Sequence, residues 1–289
     1  MNASALPSDS WSAAWNAATP ELVARIGTPD FAAGLSGALA SLAPFDLDCV
    51  FAYPGQARPR LLHDGLKGIS SAPVMRNYMD ATYLLDAVYT SCLRRVPTGL
   101  YRLSDLAPDA FFEGEYYNRP DVHPCISMES GALAEEVVFL VPVGRGVYLA
   151  YSLMRQNASG PFSEEEFGRL LTVTPLVTAM MASHWRHVGE VDDASPARHS
   201  PAPAPEEAME IAFRTFLPNR LTPREQTIVS LVLRGHSSLS IGNLLDIAEG
   251  TVKIHRKNLY AKLGISSQTE LFNLFLKHVL GETTDTGQP

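Results

Sequence analysis

The chain lacks the features that mark membrane-spanning, secreted and disulfide-stabilised proteins. No apolar run approaches the roughly eighteen residues that a membrane-spanning helix requires. The N-terminus, MNASALPSDSW, has neither the basic segment nor the apolar core of a signal peptide. The three cysteines, Cys49, Cys92 and Cys125, are odd in number and widely spaced, which fits a reducing compartment better than a disulfide scaffold. We therefore expect a cytoplasmic protein with no membrane partner.

Lysine is missing from a long part of the chain, since none occurs between Lys67 and Lys253. A phosphoacceptor receiver domain needs a Lys downstream of its acidic cluster, and Lys67 lies too early for that role. No Walker A loop, G-x-S-x-G elbow or other nucleophile motif occurs. The sequence therefore argues against a receiver, an ATPase-type regulator and an enzyme.

A metal or cofactor site is not indicated either. Asp121, His123 and Cys125, with Glu129 nearby, match no established set of metal ligands, and a surface loop is the simpler interpretation. We therefore predict neither a metal ion nor a cofactor.

Charge is divided unevenly along the chain, whose formal net charge is −8. Residues 217–280 contain eight lysines and arginines against four acids, which gives +4 and leaves −12 for the remainder. A basic C-terminal module on an acidic body fits a nucleic-acid-binding protein, and the acidic part should weaken non-specific attraction to DNA.

A length of 289 residues with 46% apolar content favours two domains. After a Pro/Ala/Ser-rich linker, a helix is predicted at 206–217 with Met209, Phe213 and Phe216 on one side. This apolar side indicates either that the helix packs on the following module or that it forms a coiled contact between two copies of the chain. We expect an N-terminal domain at 1–188, the linker and connecting helix at 189–216, the module at 217–282 and a flexible tail at 283–289.

The N-terminal part alternates between helical and strand patterns. Helices are predicted near 11–18 and at 30–42, 73–95 and 163–188, and strands at 49–53, 60–63, 137–143 and 147–153. Gly144-Arg145-Gly146 is a strong hairpin signal between the last two strands, whereas 97–132 is predicted to be rich in loops. This order predicts an α+β fold in which helices cover an antiparallel sheet.

The stretch Leu221–Val279 carries the signals of four helices. Two S/T-x-x-E capping boxes occur, at Thr222–Glu225 and Ser267–Glu270, and Ser237 or Ser238 opens the second helix. Gly235 and Gly264 are natural left-handed ends for the first and third helices.

The third of these helices, from about Glu249 to Leu263, has two different faces. At about 100° per residue, Val252, Leu259 and Leu263 share the inward side. The other side carries Gly250, Lys253, Ile254, Lys257, Asn258 and Ala261. Lysine can donate to guanine or phosphate and an isoleucine can touch a thymine methyl, so this side suits a DNA major groove. A solvated helix face is the alternative, and spacing alone does not separate the two.

The stretch resembles the C-terminal DNA-binding domain of LuxR-type transcription factors, a four-helix helix-turn-helix. The matching residues are Leu221-Thr222-Pro223-Arg224-Glu225, Gly235, Ile241, Leu245, Glu249-Gly250-Thr251-Val252-Lys253, His255, Asn258, Lys262-Leu263-Gly264 and Ser267. The resemblance implies that the third helix reads bases, that Thr251 and nearby amides hold phosphate, and that the last helix makes a dimer contact. The resulting DNA-binding set is Thr251, Lys253, Ile254, Arg256, Lys257 and Asn258.

Three positions depart from the family pattern. Ala248 stands where a Ser N-cap is usual, which costs about 1 kcal/mol of helix stability. Gly242 replaces a usual Ala, and Arg256 replaces a usual apolar residue, with its charged head expected in solvent or on phosphate. None of these departures removes a residue expected to read bases.

The N-terminal part resembles the GAF- or PAS-like sensor domains often fused to LuxR-type modules. The resemblance lies in YLLD (83–86), GLYRLSDLAPDAFF (99–112) and FLVPVGRG (139–146). Tyr78 and Asp86 fall near the spacing of acyl-homoserine-lactone receptors, but no Trp precedes the Tyr and Ala87 follows the Asp, which argues against that ligand. Tyr53, Tyr78, Tyr83 and Asp86 form either a ligand pocket or ordinary core around a satisfied Asp.

These features predict a sequence-specific transcription regulator that binds double-stranded promoter DNA as a homodimer. Its N-terminal domain is expected to sense an unidentified small molecule, and RNA polymerase is a candidate partner. The alternative is an N-terminal domain that serves as a ligand-free dimerisation or protein-interaction module. A small-molecule enzyme with a vestigial helix-turn-helix is a second rival, which the basic helix face argues against.

Overall fold

The computed structural model describes residues 10–54, 58–66, 72–80, 82–114, 133–144, 146–189 and 211–279. The N-terminal strands are β1 (Leu47–Tyr53), β2 (Arg60–Asp64), β3 (Gly99–Arg102), β4 (Leu133–Pro142) and β5 (Tyr148–Gln156). The helices around them are α1 (Ser10–Ala24), α2 (Phe31–Leu42), α3 (Ala72–Asp80), α4 (Ala87–Leu93), α5 (Leu103–Leu106) and α6 (Glu164–His184), with 3-10 turns at Thr82–Leu85 and Arg186–Gly189. The C-terminal helices are α7 (Pro223–Leu233), α8 (Ser238–Leu245), α9 (Glu249–Leu263) and α10 (Gln268–Val279).

The strands form one sheet in the order β2-β1-β5-β4-β3, and every neighbouring pair is antiparallel. β4 and β5 are the predicted hairpin, with Val141 opposite Leu149. β1 lies between β2 and β5 and pairs with β5 along its whole length, and all seven of its residues are buried. The prediction of an antiparallel sheet with helices, followed by a helical module, is confirmed.

Both faces of this sheet carry apolar side chains, because successive residues of a strand point to opposite sides. Val50 and Ala52 of β1 belong to a core covered by α1, α2 and α6. Cys49 and Phe51 belong to a second core, on the other face, which α3, α4 and α5 cover. The N-terminal domain is therefore a three-layer arrangement with the sheet in the middle.

One prediction for the second layer is wrong and another is incomplete. The helical stretch expected at 73–95 is divided, because Asp86 leaves helical geometry (φ −73°, ψ 132°) and accepts a hydrogen bond from the Val88 N–H at 2.8 Å. Part of the loop expected at 97–132 is strand β3 followed by helix α5. With four residues each, these elements are too short for a periodic pattern to show. Residues 115–132 lie outside the described ranges.

The C-terminal module forms through the predicted capping signals. At the start of α7, Thr222 Oγ1 accepts from the Glu225 N–H, and the Glu225 carboxylate accepts from the Thr222 N–H at 2.7 Å. The Ser267–Glu270 box is only half formed, since Ser267 Oγ accepts from the Glu270 N–H while the Glu270 carboxylate accepts from Ser266 instead. Gly235 and Gly264 have the expected positive φ, +88° and +71°.

The segment that precedes the module packs against it. Residues 211–215 are helical, and Phe213 and Phe216 are buried with ring centroids 4.8 and 5.3 Å from that of Phe275 in α10. This contact favours packing on the module over a contact between two copies. Met209 and residues 190–205 lie outside the described part of the chain, and the expected domain boundaries stay a prediction.

The module also contacts the N-terminal domain directly. The Gly235 carbonyl accepts from the Ala110 N–H at 3.0 Å, and the Ser237 N–H donates to Asp109 Oδ1 at 3.0 Å. A Cβ placed on Gly235 would lie 2.6 Å from Phe111 Cα, so only glycine permits this approach. Buried apolar residues of both parts form one continuous cluster beneath these contacts.

We expect Glu166→Gln to destabilise the fold in a pH-dependent way. The Arg155 guanidinium donates two hydrogen bonds to the Glu166 carboxylate, and the shorter is 2.6 Å long. These bonds are the main reason that the pKa of Glu166 is lowered from 4.5 to about 2. A carboxylate with a lowered folded-state pKa stabilises the fold above its unfolded pKa, and this stability is lost as pH falls from about 4.5 towards 2. The free energy of unfolding of the variant should be about 2 kcal/mol lower than that of the wild type at neutral pH. It should also change less as the pH falls.

Urea unfolding across this pH range measures both effects. Glu165→Gln is the matched control, because Glu165 is 76% exposed in its ion pair with Arg169 and should contribute little. Equal losses in the two variants would contradict the assignment.

Candidate nucleic-acid interface

Helix α9 is fixed in the module by its apolar side. Val252 and Leu259 are fully buried and Leu263 is 7% exposed, as the helical spacing predicted. Ala248 is the N-cap residue and makes no side-chain capping bond, which confirms the departure seen in the sequence. The helix ends at Gly264, in the left-handed region. Tertiary packing rather than a strong N-cap therefore positions α9.

The opposite side of α9 faces solvent. Five of the six residues expected to contact DNA are exposed there: Thr251, Lys253, Ile254, Lys257 and Asn258. Ile254 is 61% exposed, although an isoleucine side chain normally favours the interior. Lys253 Nζ lies 2.7 Å from Glu249 Oε1, whereas Lys257 takes part in no ion pair within the described part of the chain. This cationic and apolar strip is available to a partner.

Arg256 differs from the other five residues, because its side chain turns into the bundle. Its guanidinium donates to Ser238 Oγ in α8 at 3.1 Å and to Gln268 Oε1 in α10 at 3.2 Å. It also approaches the hydroxyl of Tyr260, one turn further along α9, at 3.3 Å. In this conformation Arg256 ties α9 to both neighbouring helices.

Two close approaches that the sequence did not reveal lie at the two ends of α9. Lys262 Nζ lies 2.8 Å from Glu225 Oε2, and this hydrogen bond is the largest cause that lowers the pKa of Glu225. The capping box of α7 is thereby linked to the C-terminal turn of α9. At the other end, a Cβ on Gly242 would lie 2.8 Å from the Ile247 carbonyl oxygen, which explains a glycine in α8. No short-range sequence pattern encodes either contact.

The arrangement of α8 and α9 defines the class of the protein. A short turn joins the two helices, with Asp246 in the left-handed region (φ 53°, ψ 50°), and α7 packs against both. The second helix of the pair presents the exposed cationic strip. A helix pair of this kind, held on a small bundle, is the helix-turn-helix of DNA-binding transcription regulators.

The family follows from likeness to known proteins. The sequence profile described as "Bacterial regulatory proteins, luxR family" matches residues 219–275. An HTH-type transcriptional regulator of Aeromonas salmonicida, encoded in the exeN 3′ region, is 37% identical over 146 residues, which are 50% of this chain and 74% of that protein. The chain belongs to the luxR family of bacterial regulatory proteins.

Two further comparisons concern parts of the chain. The monoamine regulon transcriptional regulator of Klebsiella aerogenes is 33% identical over 127 residues, which are 44% of this chain and 43% of that protein. The crystal structure of the VqsR LBD domain from Pseudomonas aeruginosa superposes with a TM-score of 0.50 and 24% identity, covering 61% of this chain and 98% of that one. At this identity the second likeness shows the fold alone.

The four residues singled out in the N-terminal domain lie together, between the sheet and its second helical layer. Tyr78 Oη donates to Asp86 Oδ2 at 2.6 Å and accepts from Tyr53 Oη at 2.6 Å. Asp86 Oδ1 accepts from the Val88 N–H, so the same carboxylate caps α4. Tyr83 adjoins this hydrogen-bonded chain through its ring, which meets that of Tyr78 edge-on with the centroids 6.5 Å apart. The side chains of all four residues are buried.

Glu136 of β4 is a member of this buried group that the sequence did not indicate. It occupies an interior position in a strand whose neighbours Val137 and Val138 are fully buried, and it is itself 5% exposed. Burial, and then the nearby Asp86 carboxylate, raise the pKa of Glu136 from 4.5 to about 8. Glu136 is therefore mostly protonated at neutral pH. Together, Tyr53, Tyr78, Asp86 and Glu136 form what we call the buried polar cluster.

Neither a metal site nor a membrane span is found in the described ranges. No group of three or more His, Cys, Asp or Glu residues there is arranged to hold a metal ion. None of the helices described is both long and apolar enough to cross a bilayer. Asp121, His123 and Cys125 lie outside the described residues.

We expect Glu136→Gln to remove a pH dependence of folding stability. Because the folded-state pKa of Glu136 is raised, the folded protein holds a proton that the unfolded chain releases between pH 4.5 and about 8. The free energy of unfolding should therefore decrease as pH rises through this window in the wild type, and decrease less in the variant. Urea titrations at several pH values test this, with exposed Glu113→Gln as the control. Parallel profiles for the wild type and Glu136→Gln would exclude a protonated Glu136.

Proposed function

We propose that this regulator binds promoter DNA in a sequence-specific manner by inserting α9 into the major groove. Lys253, Ile254, Lys257 and Asn258 contact base edges, and Thr251 at the start of the helix contacts phosphate. The observation that carries the proposal is the exposed cationic strip with a 61% exposed isoleucine on a helix whose other side is fixed. A buried opposite side supports specificity, because base readout needs a helix with little freedom to rotate.

Arg256 takes a different part in this proposal. Its hydrogen bonds to Ser238 and Gln268 hold the three helices in register, so it orients the reading helix. It reaches DNA only if these bonds open.

The functional unit that we propose is a homodimer. In helix-turn-helix regulators two recognition helices read half-sites about one helical turn apart. Helix α10, at the end of the module, supplies the contact between copies that the family resemblance implies. RNA polymerase is the partner through which a bound dimer would act on transcription.

Lys257→Ala should weaken binding to specific promoter DNA on the order of tenfold. For the wild type, raising salt from about 50 to about 200 mM should weaken binding by orders of magnitude, because phosphate contacts release counterions. Fluorescence anisotropy with labelled fragments of the genomic sites that the protein occupies measures both quantities. Arg186→Ala removes the same charge from an exposed position in the N-terminal domain and should have a smaller effect. Binding that is insensitive to salt or to Lys257 would refute this mode of recognition.

We further propose that the N-terminal domain is a GAF- or PAS-like sensor of a small molecule. Its central antiparallel sheet with helices on both faces supports this, as does the likeness of fold to the VqsR LBD domain. The ligand site is the buried polar cluster with the adjoining Tyr83. Ligand binding would shift the population of dimer arrangements through a difference in affinity for the two states.

The chemistry of the cluster limits the ligand class. Asp86 and Glu136 place two carboxyl groups near each other, and the tyrosine rings surround them. A group that donates hydrogen bonds or carries a positive charge would satisfy both carboxyl groups and lie against aromatic faces. An acyl-homoserine lactone is not favoured, because no Trp precedes Tyr78 at the required spacing and Ala87 follows Asp86.

Native mass spectrometry of the purified full chain tests sensing. We expect a bound non-protein mass on the wild type and a reduced fraction of it on Asp86→Asn, since asparagine preserves the cap of α4 but removes the charge. Asp30→Asn, at the start of α2, is the matched control. A wild type that carries no added mass, from cells grown under varied conditions, would favour the ligand-free dimerisation or interaction module.

A further inference from the structure

A cavity of about 480 Å³ lies where the N-terminal domain meets the helix-turn-helix module. The C-terminal end of α4 forms one wall, and α7 with the segment before it forms the other. Its volume falls within the range of small-molecule sites, which is about 300–1,000 Å³. It is distinct from the buried polar cluster, which lies at the other end of α4.

The charged side chains that line this cavity, in the part of the chain that the structure describes, are all basic. Among the described residues that line it, Arg94, Arg214 and Arg234 are basic and none is acidic. Arg94 and Arg214 are exposed and enter into no ion pair within the described part of the chain. Several guanidinium groups around one cavity repel each other, and an anion between them removes that repulsion. Guanidinium is also the side-chain group that best matches carboxylate and phosphate oxygens.

The same cavity has an apolar wall. Phe213 and Leu93 line it, and the guanidinium of Arg234 lies 4.9 Å from the centre of the Phe213 ring. This cation–π contact holds the Arg234 side chain against the aromatic wall. Charged and apolar groups therefore face the same space.

Nearby His236 responds to these charges. Burial is the largest cause that lowers its pKa, and Arg94 and Arg234 lower it further, although Asp109 acts in the opposite direction. Arg94 and Arg234 therefore both lie close enough to His236 to act on its charge.

We propose that this cavity binds a small organic anion, with its charged group among Arg94, Arg214 and Arg234 and its apolar part against Phe213 and Leu93. The site needs both domains, since Arg94 belongs to one and Arg234 to the other. An anion bound there stabilises the docked arrangement of the two domains by mass action.

Anilinonaphthalene sulfonate is a suitable probe, because it combines one sulfonate with aromatic rings. Its uncharged analogue N-phenylnaphthylamine is the control ligand, because it has the same rings without the sulfonate. We expect the full chain to bind the sulfonate with saturable fluorescence. Replacement of both Arg94 and Arg214 by Ala should weaken this binding by about tenfold or more, and should change binding of the uncharged analogue much less. Both arginines are exposed, so an unchanged urea midpoint should confirm that the variant folds.

Arg186→Ala, which removes an exposed arginine near the end of α6, is the control and should bind the sulfonate like the wild type. Equal sulfonate affinity in the wild type and the Arg94/Arg214 variant would overturn the proposal, and so would equal losses for the charged and uncharged probes. If the double variant does not fold, the single variant Arg94→Gln replaces it. We expect Arg94→Gln to lower the affinity for the sulfonate by a smaller factor and to leave the affinity for the uncharged analogue nearly unchanged. The assay contains no DNA, and Lys257→Ala should leave it unchanged, so its outcome is independent of the proposed DNA recognition.

Discussion

The structure depends on the burial of both faces of one antiparallel sheet. β1 has no exposed residue, and the interior residues of β4 and β5 are almost entirely buried, so neither face can be left to water. On one side α1, α2 and α6 pack on the sheet. On the other side the cover consists of short helices and a 3-10 turn, and its apolar core continues through Phe111 into the helix-turn-helix module. The apolar core beneath the second face is therefore continuous with that of the module.

Short helix α4 links the two candidate ligand sites of this layer. Asp86 caps its N-terminus and bonds to Tyr78 within the buried polar cluster. Arg94 follows its C-terminus and lines the cavity between the domains. Two carboxyl groups in a dry interior cannot both ionise at little cost, and one of them, Asp86, accepts the hydrogen bond that caps α4. This short helix thus runs from the inside of the N-terminal domain to the surface that meets the DNA-binding module.

Sequence patterns predicted the parts of the molecule in which local and long-range preferences agree. The capping box at Thr222 and Glu225, the left-handed ends at Gly235 and Gly264, and the inward side of α9 were all recognisable, because each is set within a few residues. The hairpin of β4 and β5 and the existence of the sheet were predicted for the same reason.

What could not be predicted depends on neighbours distant in sequence. Asp86 ends one helical segment and caps the next, because it bonds both to Tyr78 and to the Val88 N–H. The helical spacing of the sequence does not show this interruption. Glu136 is a charged residue type in an interior strand position, and only the fold shows that Asp86 lies near it. Arg256 turns away from solvent because Ser238 and Gln268 offer oxygen atoms at the right distance, and both belong to other helices.

The glycine that ends α7 has a consequence beyond its helix. At position 235 the bare backbone approaches Phe111 so closely that the two domains lie nearer together than any amino acid with a side chain would allow. The absence of a side chain at this position therefore permits the close approach, and its φ of +88° is unfavourable for any bulkier residue. A chain with alanine there would lose either the end of its helix or the fit between its halves. A single glycine thus determines both the local geometry of the DNA-binding module and its contact with the rest of the protein.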